Sequence, residues 1–435
     1  MLNKPKYIFL RFFVPALLLM AVSCVDQLEY NIGGRINTLV VDGLLTTADE
    51  QHTVRIYRAK SDEATGKYDS APITGIVMEL VVDGTQTVAF TEDKVLAGKY
   101  YLPEHFRAQV GKSYQLKFRL PDGTNYESTI QKVVPVPAMT NVKSRFVPNQ
   151  AADARLKFNG FHELYIDTQD PADQQNFYSW EWTQYEKQDW CKSCSRGVYA
   201  VNAILPGVYL DKRYFVSGNE PFEDCFSPKY SWDNDWSMPP IPNEEWTYDY
   251  QCRTQCWQVF RNPNLNLFDD RLTNGGKILQ RSVARIPFYQ HGGSSVELRQ
   301  LSLDKDAYNY FKLFQQQTEN TGGIADTPPT ALRGNIKNVQ DAKESIVGYF
   351  QVSDVSIVRH WVDRKDTGAS GITPPGLFEA LNGRAISPEP SPNINTGSSA
   401  AKILIYGGPP RLPTALCIKS DARTPVKPQG WVDLQ

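Results

Sequence analysis

The sequence predicts a mainly β protein in which an N-terminal immunoglobulin-like β-sandwich is followed by a larger β-rich domain with one clear helix. Three features predict this fold: short β-rich runs separated by Asp-Gly dipeptides, longer runs rich in aromatic residues, and a single amphipathic helical segment. The expected boundaries are residues 1–23 for a signal peptide, 24–34 for a tether, 35–138 for the sandwich and 139–435 for the C-terminal domain.

The first 24 residues have the pattern of a bacterial lipoprotein signal. Lys4, Lys6 and Arg11 precede an apolar run over residues 12–22, which ends just before Cys24. A basic start and a short apolar run are typical of an exported segment that is too short to span a bilayer stably. The cysteine predicts cleavage before Cys24 and lipidation of that residue, so that an N-terminal lipid holds the protein to a membrane. The alternatives are an uncleaved signal anchor and a plain secretory signal.

Charge and hydropathy exclude two classes of function. Removal of the signal takes away three of the 46 basic residues and none of the 48 acidic ones, which leaves a net charge near −5 and no basic block. We therefore expect no nucleic-acid partner. No other apolar run approaches the roughly 20 residues of a transmembrane helix, so a polytopic membrane protein is excluded.

Residues 35–138 are expected to form the sandwich because β-rich runs recur there at short intervals. Asp42-Gly43, Asp83-Gly84 and Asp122-Gly123 have the composition of tight hairpin turns. The seven predicted strands are residues 38–41, 53–57, 76–82, 87–90, 99–102, 114–120 and 126–130. Pro135 and Pro137 then predict a stiff, extended linker, since each proline fixes its own φ angle.

The C-terminal domain is expected to contain two strand pairs and a long loop. Residues 163–168 and 177–185 flank a turn and predict a hairpin, and residues 345–350 and 355–362 predict a second pair. The composition of residues 366–401 shifts to Gly, Pro, Ser and Asn, which is typical of a flexible surface loop.

One helix is predicted after residue 302. Ser302 is a candidate cap, and Asp304 and Asp306 would lie near the positive end of the helix dipole. Gly322-Gly323 would end the helix. The residues expected on its apolar face are Ala307, Tyr310, Phe311, Phe314 and Thr318.

Six cysteines besides Cys24 are candidates for disulfides: Cys191, Cys194, Cys225, Cys252, Cys256 and Cys417. Six cysteines permit fifteen pairings, and the sequence does not choose among them. We expect at least one bridge within residues 191–256 and one from Cys417 back to that region. Zinc is the alternative because the spacings of two and three intervening residues suit thiolate ligands. An exported protein favours disulfides, so no metal site is predicted.

The sequence contains no motif that identifies an enzyme. There is no histidine–glutamate metalloprotease motif, no nucleophile-elbow serine and no ligand spacing among the five histidines. We therefore expect neither catalysis nor a cofactor. Paired carboxylates for glycoside hydrolysis stay open, because the separation that matters is spatial.

A cysteine- and tryptophan-rich insertion is expected at residues 186–260. Residues 180–257 contain seven of the nine tryptophans and five cysteines. Indole rings stack on sugars, carboxylates bind hydroxyl groups, and aromatic loops suit protein partners equally well. The other interpretation is that these rings form the core of a loop-rich subdomain. The candidate ligand or partner residues are Trp232, Asp233, Asp235, Trp236, Trp246 and Tyr248.

Several segments resemble a known family. They are Val40–Leu44, Ala97–Tyr100, Val110–Leu116, Leu303–Gly323 and Val347–Ser353. The chain is similar over nearly all of its mature length to the family called domain of unknown function 4249. That family usually has a second cysteine three residues after the one matching Cys417, where this chain has Ser420, so the departure frees Cys417 to pair elsewhere.

The resemblance implies an outer-membrane lipoprotein of Bacteroidota, in a family often encoded near TonB-dependent transporters and without an established activity. Asp26 and Glu29 resemble the export signals of surface lipoproteins. We expect a surface lipoprotein that binds a glycan or peptide as accessory to such a transporter. The alternatives are a structural or adhesive envelope protein and an unrecognised hydrolase.

Overall fold

The computed structural model describes residues 37–61, 68–148, 158–172, 174–195, 199–200, 213–214, 247–319, 332–386 and 414–433. The predicted signal peptide and tether, with Cys24, lie outside these residues. The described fold is mainly β with several sheets and one main helix, which confirms the predicted fold class. No helix within the described ranges is long and apolar enough to cross a membrane.

Ten strands precede residue 133 and belong to one β-sandwich. They are β1 (Asn37–Thr46), β2 (Thr53–Ser61), β3 (Tyr68–Pro72), β4 (Val77–Val82), β5 (Gln86–Ala89), β6 (Thr91–Glu92), β7 (Lys99–Tyr101), β8 (Ser113–Arg119), β9 (Asn125–Ser128) and β10 (Gln131–Lys132). The predicted alternation at β8 is confirmed, because Tyr114, Leu116 and Phe118 are buried while the residues between them are partly exposed.

The remaining elements begin at residue 139. The strands are β11 (Met139–Pro148), β12 (Gly160–Gln169), β13 (Phe177–Lys187), β14 (Trp190–Ser195), β15 (Tyr199–Ala200), β16 (Arg213–Tyr214), β17 (Thr247–Cys252), β18 (Trp257–Arg261), β19 (Asn266–Asp269), β20 (Lys277–Pro287), β21 (Ser294–Leu303), β22 (Ile336–Asn338), β23 (Val347–Ser353), β24 (Val355–Val362), β25 (Thr414–Ala415) and β26 (Arg423–Thr424). The helices are α1 (Lys305–Glu319) and α2 (Leu377–Asn382), with 3-10 turns at Asp270–Leu272 and Lys365–Ser370.

Two late strands complete the N-terminal sandwich. One sheet has the order β23-β1-β2-β7-β6 with β3 beside β2, and the facing sheet has the order β22-β9-β8-β4-β5 with β10 beside β8. The parallel pairing of β23 with β1 matches Val40 with Val347. Ile336, Phe350 and Val352 enter the same core as Leu39 and Leu116. The sandwich therefore extends beyond the predicted segment 35–138, since it includes strands from residues 336–353.

The described chain thus has two bodies, and the sandwich is the first. The second body consists of two sheets that face each other. One has the order β11-β12-β20, and the other has the order β24-β21-β13-β18-β26 with β19 beside β13. The core between them includes Leu164, Trp180 and Ile286. The expected hairpin of residues 163–168 and 177–185 is wrong, because β12 and β13 lie in different sheets. The second expected pair is wrong for the same reason, since β23 belongs to the sandwich and β24 to the second body.

Helix α1 occupies the predicted position. Its cap is Asp304 instead of Ser302, since Asp304 Oδ1 accepts a hydrogen bond from the backbone N–H of Ala307 at 2.7 Å. Ala307 and Tyr308 are buried, whereas Phe314 is 41% exposed. The predicted apolar face is thus buried at its first turn and open farther along.

Part of the predicted loop at 366–401 is ordered secondary structure. Leu377 and Phe378 of α2 are buried against Trp190, whose ring centroid lies 4.8 Å from that of Phe378. Near the C-terminus, Trp431 packs edge-on against Trp257 and Trp361, which brings the terminal segment back onto the second body.

The two bodies meet at Asp354, the single residue between β23 and β24. Its Oδ1 accepts a hydrogen bond from Thr47 Oγ1 at 2.6 Å, and its Oδ2 accepts one from the N–H of Val136 at 2.9 Å. The Ser302 hydroxyl accepts a hydrogen bond from the Asp354 N–H at 3.0 Å. This residue therefore joins the end of β1, the linker and the end of β21.

We expect the Asp354→Ala variant to lose about 2–3 kcal/mol of unfolding free energy, because partly buried donors on Thr47 and Val136 would lose their acceptor. Urea unfolding of the purified protein measures this loss. Asp363→Ala is the control, since among the described residues its half-exposed carboxylate contacts only Lys365, and we expect a change within about 0.5 kcal/mol. Equal effects of the two substitutions would contradict the role of Asp354.

Candidate functional site

A cleft of about 740 Å³ lies between the two bodies. One wall is the outer face of the sandwich sheet, formed by β1, β2 and β23. The facing wall is the outer face of β13 and β21, with Arg261 from the end of β18. Helix α1 contributes Tyr310, Phe311 and Phe314.

Strand alternation explains which residues face the cleft. In β1 the side chains of Leu39 and Val41 are buried in the sandwich core, so Val40, Asp42 and Leu44 point the other way. In β13 the indoles of Trp180 and Trp182 join the core of the second body, whereas Glu181 and Thr183 line the cleft. Each wall thus carries mixed polar and apolar side chains, and the other side of its strands is buried in a core.

Gly43 has a structural role that differs from its predicted one. Asp42-Gly43 was expected at a tight turn, but both residues lie within β1. A Cβ atom at Gly43 would lie 2.9 Å from Val54 Cγ2 and 3.1 Å from Phe350 Cδ2. Glycine is therefore required by the close approach of β2 and β23. Asp83-Gly84 and Asp122-Gly123 do form turns between strands.

An ion pair joins the walls of the cleft. Arg299 of β21 donates two hydrogen bonds to Glu50, from Nη1 to Oε2 at 2.6 Å and from Nη2 to Oε1 at 2.5 Å. Glu50 lies in the loop after β1 and also accepts a hydrogen bond from Thr46 Oγ1 at 2.6 Å. Burial opposes ionisation of Glu50, but the hydrogen bonds and charge of Arg299 outweigh it and lower the pKa of Glu50. The pKa of Arg299 is raised against its burial by the same contacts.

Two other carboxyl groups line the cleft without a hydrogen-bond partner in the described part of the chain. They are Asp42 on the sandwich wall and Glu181 on the facing wall. Burial raises the pKa of Glu181, although the nearby charge of Arg299 opposes the shift. The pKa of Asp42 is raised by burial and lowered less by Arg55. The side chain of Asp42 is exposed to solvent. Its carboxyl group is therefore desolvated by the nearby walls of the cleft and is not completely enclosed.

Two tyrosine rings lie near enough to Asp42 to be affected by its charge. Tyr57 of β2 and Tyr310 of α1 both line the cleft, and the charge of Asp42 helps burial to raise the pKa of each phenol. Tyr310 Oη also accepts a hydrogen bond from the backbone N–H of Gly348 at 3.1 Å, which fixes the ring against β23. The exposed ring of Phe314 extends this aromatic surface along α1.

The far side of the cleft is bridged by the C-terminal segment. Asp421 lies between the disulfide at Cys417 and β26, and its backbone oxygen accepts a hydrogen bond from Arg261 Nη1 at 2.5 Å. Its carboxylate lies 3.7 Å from Arg55 Nη2 and 3.6 Å from Lys99 Nζ, both on the sandwich. The second body thus reaches across to the sandwich on the side opposite Asp354.

The residues predicted from the tryptophan-rich segment do not contribute to this cleft. Trp232, Asp233, Asp235, Trp236 and Trp246 lie outside the described residues, as does the side chain of Tyr248, whose backbone is in β17. Sequence reasoning missed the cleft. One sequence signal could have indicated the cleft. It is a single acidic residue between two large apolar residues of one strand, as at Glu181 between Trp180 and Trp182.

Two disulfides agree with the predicted pattern. Cys191 is bonded to Cys252 within the insertion, and Cys256 is bonded to Cys417. The sulfur atoms of Cys191, Cys252 and Cys256 lie within 4.8 Å of one another, a cluster that would suit zinc as thiolates. Each of these sulfurs is instead engaged in a disulfide. Cys225 and the side chain of Cys194 lie outside the described residues.

The fold and the cleft define a class of two-body β protein, in which one continuous segment of chain contributes a strand to each body. Carboxylates and aromatic rings line the space between the bodies. The chain belongs to the family described as Domain of unknown function (DUF4249), whose sequence model matches residues 25–358. This match includes all cleft-lining residues, which fall between Val40 and Gln351. No curated protein matches the chain.

We expect the Glu50→Gln variant to lose about 1–2 kcal/mol of unfolding free energy at neutral pH, because Arg299 would lose its charged partner. In the folded protein the pKa of Glu50 is lowered from its ordinary value of 4.5. The ionised carboxylate of Glu50 therefore stabilises the fold fully above about pH 4.5, and this stabilisation is lost as the pH falls through the lower pKa of the folded state. Glutamine does not titrate. The stability gap between the two proteins should therefore narrow below pH 4.5.

Urea unfolding between pH 3 and pH 7 measures this gap. Glu104→Gln is the control, because Glu104 is exposed and has no hydrogen bond or ion pair within the described residues. We expect it to change stability little at any pH. A Glu50→Gln gap that stays constant down to pH 3 would show that the charge of Glu50 contributes nothing.

Proposed function

We propose that this protein is an outer-membrane, surface-exposed lipoprotein that acts by binding, and that the cleft between its two bodies is the binding site. The observation that carries this proposal is the cleft itself. Its volume of about 740 Å³ suits a small ligand, and it lies at an interface between two bodies, where ligand sites commonly occur.

The composition of the walls supports binding. Asp42 and Glu181 offer acceptors from opposite sides, and Tyr57, Tyr310 and Phe314 offer flat apolar surface. Few polar groups among aromatic rings are the usual arrangement in a ligand pocket, because the rings bury area and the polar groups fix orientation. Arg299 and Glu50 hold the walls at a set separation, so the site is formed before a ligand arrives.

The membrane location and the partner are parts of the same proposal. The lipobox at Cys24 supports an N-terminal lipid anchor, and the family resemblance supports a role as accessory to a TonB-dependent transporter in the uptake of a glycan or peptide. An envelope protein that contacts other proteins in a structural or adhesive role is the alternative.

A hydrolase is a second candidate, and one observation favours it. Asp42 and Glu181 are two carboxyl groups with raised pKa values in one cleft, and acid catalysts arise in such settings. Incubation with glycan and peptide libraries, followed by mass spectrometry, tests this function. Time-dependent cleavage that Glu181→Gln abolishes would replace binding by turnover.

We expect Thr183→Trp to abolish ligand binding, because an indole at this half-buried position on the cleft wall would occupy the space of the ligand. Glycan and peptide arrays probed with both proteins measure the effect. Thr87→Trp is the matched control, since Thr87 is exposed on β5, away from the cleft. A ligand that binds wild type and Thr183→Trp equally would place the binding site elsewhere.

We expect Cys24→Ala to move the protein from the membrane fraction to the soluble fraction, because the acyl chains would be absent. Fractionation and immunoblotting measure this shift, with Ser23→Ala as the control. Undiminished membrane association would contradict lipidation. Affinity purification of the wild-type protein from gently solubilised outer membranes tests the partner: a stoichiometric TonB-dependent barrel supports the accessory role, and recovery of the lipoprotein alone favours the alternative.

A further inference from the structure

We propose that the cleft selects a cationic ligand, a peptide that presents a primary ammonium group to Asp42 and Glu181. This inference rests on the proposed function and names the ligand class of the same site. Some charged groups around the cleft already have partners in the protein, whereas Asp42 and Glu181 have none in the part of the chain that the structure describes.

The other acidic residues near these walls are paired. Glu50 binds Arg299 through two hydrogen bonds, and Glu297 on the outer face of β21 lies 2.7 Å from Arg359 Nη2. Asp42 and Glu181 have no hydrogen bond and no ion pair within the described ranges of the chain. They lie on opposite walls, and the charge of Asp42 adds to burial in raising the pKa of Glu181, so the two carboxyl groups act on the same space.

The cationic groups of the cleft, in contrast, are engaged. Arg299 is paired with Glu50, and Arg55 and Arg261 contact Asp421 at the far side. Each of these cations thus already has an acceptor in the protein, whereas Asp42 and Glu181 have no partner among the residues described. An anionic ligand would have to displace existing pairs, whereas an ammonium group would supply the partner that the two carboxylates lack.

The aromatic groups beside Asp42 point to the same ligand. Tyr57 and Tyr310 lie close enough to Asp42 for its charge to act on both phenols. An ammonium group between a carboxylate and ring faces gains an ion pair and cation–π attraction together. Burial disfavours the ionised forms of Asp42 and Glu181, and an incoming cation would offset that penalty.

A peptide accounts for these contacts better than a neutral glycan does. Its amino terminus or a lysine side chain supplies the ammonium group, and its apolar side chains can cover Phe311 and Phe314 on α1. The hydroxyl groups of a neutral glycan could donate hydrogen bonds to the two carboxylates, but they would leave both charges uncompensated, which costs free energy where the carboxylates are desolvated. Binding of a neutral glycan alone is therefore an outcome that the test must detect.

The test uses a library of lysine-containing tripeptides, either with free amines or after complete acetylation, and a library of neutral oligosaccharides. Binding to the wild-type protein and to each variant is measured by calorimetry or mass spectrometry. We expect the free tripeptides to bind and acetylation to weaken binding by at least about tenfold. Asp42→Asn and Glu181→Gln should each weaken binding of the free peptides by about tenfold or more and leave the acetylated peptides unaffected.

Glu297→Gln is the matched control, because it removes a carboxylate from the same sheet face outside the cleft and should preserve binding. Circular dichroism and thermal unfolding verify that each variant is folded. The inference is overturned if free and acetylated peptides bind equally, if both carboxamide variants bind normally, or if no free tripeptide binds. The proposed function fails separately, when Thr183→Trp leaves binding of every ligand unchanged. Neutral oligosaccharides that bind in a manner sensitive to Thr183→Trp would preserve the proposed function and overturn the cationic ligand.

Discussion

One run of chain, residues 347–362, belongs to two sheets, and the rest of the architecture depends on it. β23 forms the edge of the sandwich sheet, β24 forms the edge of the facing body, and only Asp354 separates them. Because the backbone of each strand is committed to hydrogen bonds with its neighbour, β1 for β23 and β21 for β24, this junction cannot lengthen as a linker would. The carboxylate of Asp354 then fixes the junction to β1 and to the linker, 307 and 218 residues away in sequence.

The cleft is a consequence of that junction. The two sheets are connected at Asp354, and their facing outer surfaces carry polar residues. They therefore leave a space between them and do not pack into one common core. The ion pair between Arg299 and Glu50 spans the space near β1, and Asp421 spans it on the other side. The site is therefore defined by contacts between bodies, while each body's own core determines which side chains reach it.

The sequence was sufficient to predict the strands and the main helix, because alternation and helical periodicity are local patterns. It was insufficient to predict pairing: Glu163 and Trp180 lie in consecutive strands, yet their strands belong to different sheets. Nothing local distinguishes a turn from a crossing between layers. Gly43 was misassigned because a glycine required by close packing has the same neighbours as one required by a turn. The cleft acids could not be paired from sequence because their positions depend on strands far apart in the chain.

The late arrival of β22 and β23 has a consequence for how the protein is made. The chain is synthesised from its N-terminus, so one edge of β1 and one edge of β9 stay unpaired until residues 336–353 are available. About 300 residues must be synthesised before β1 meets its parallel partner, so folding cannot proceed domain by domain along the chain. During that interval the open edges are exposed to pairing with other chains, and the protein is at its most prone to aggregate.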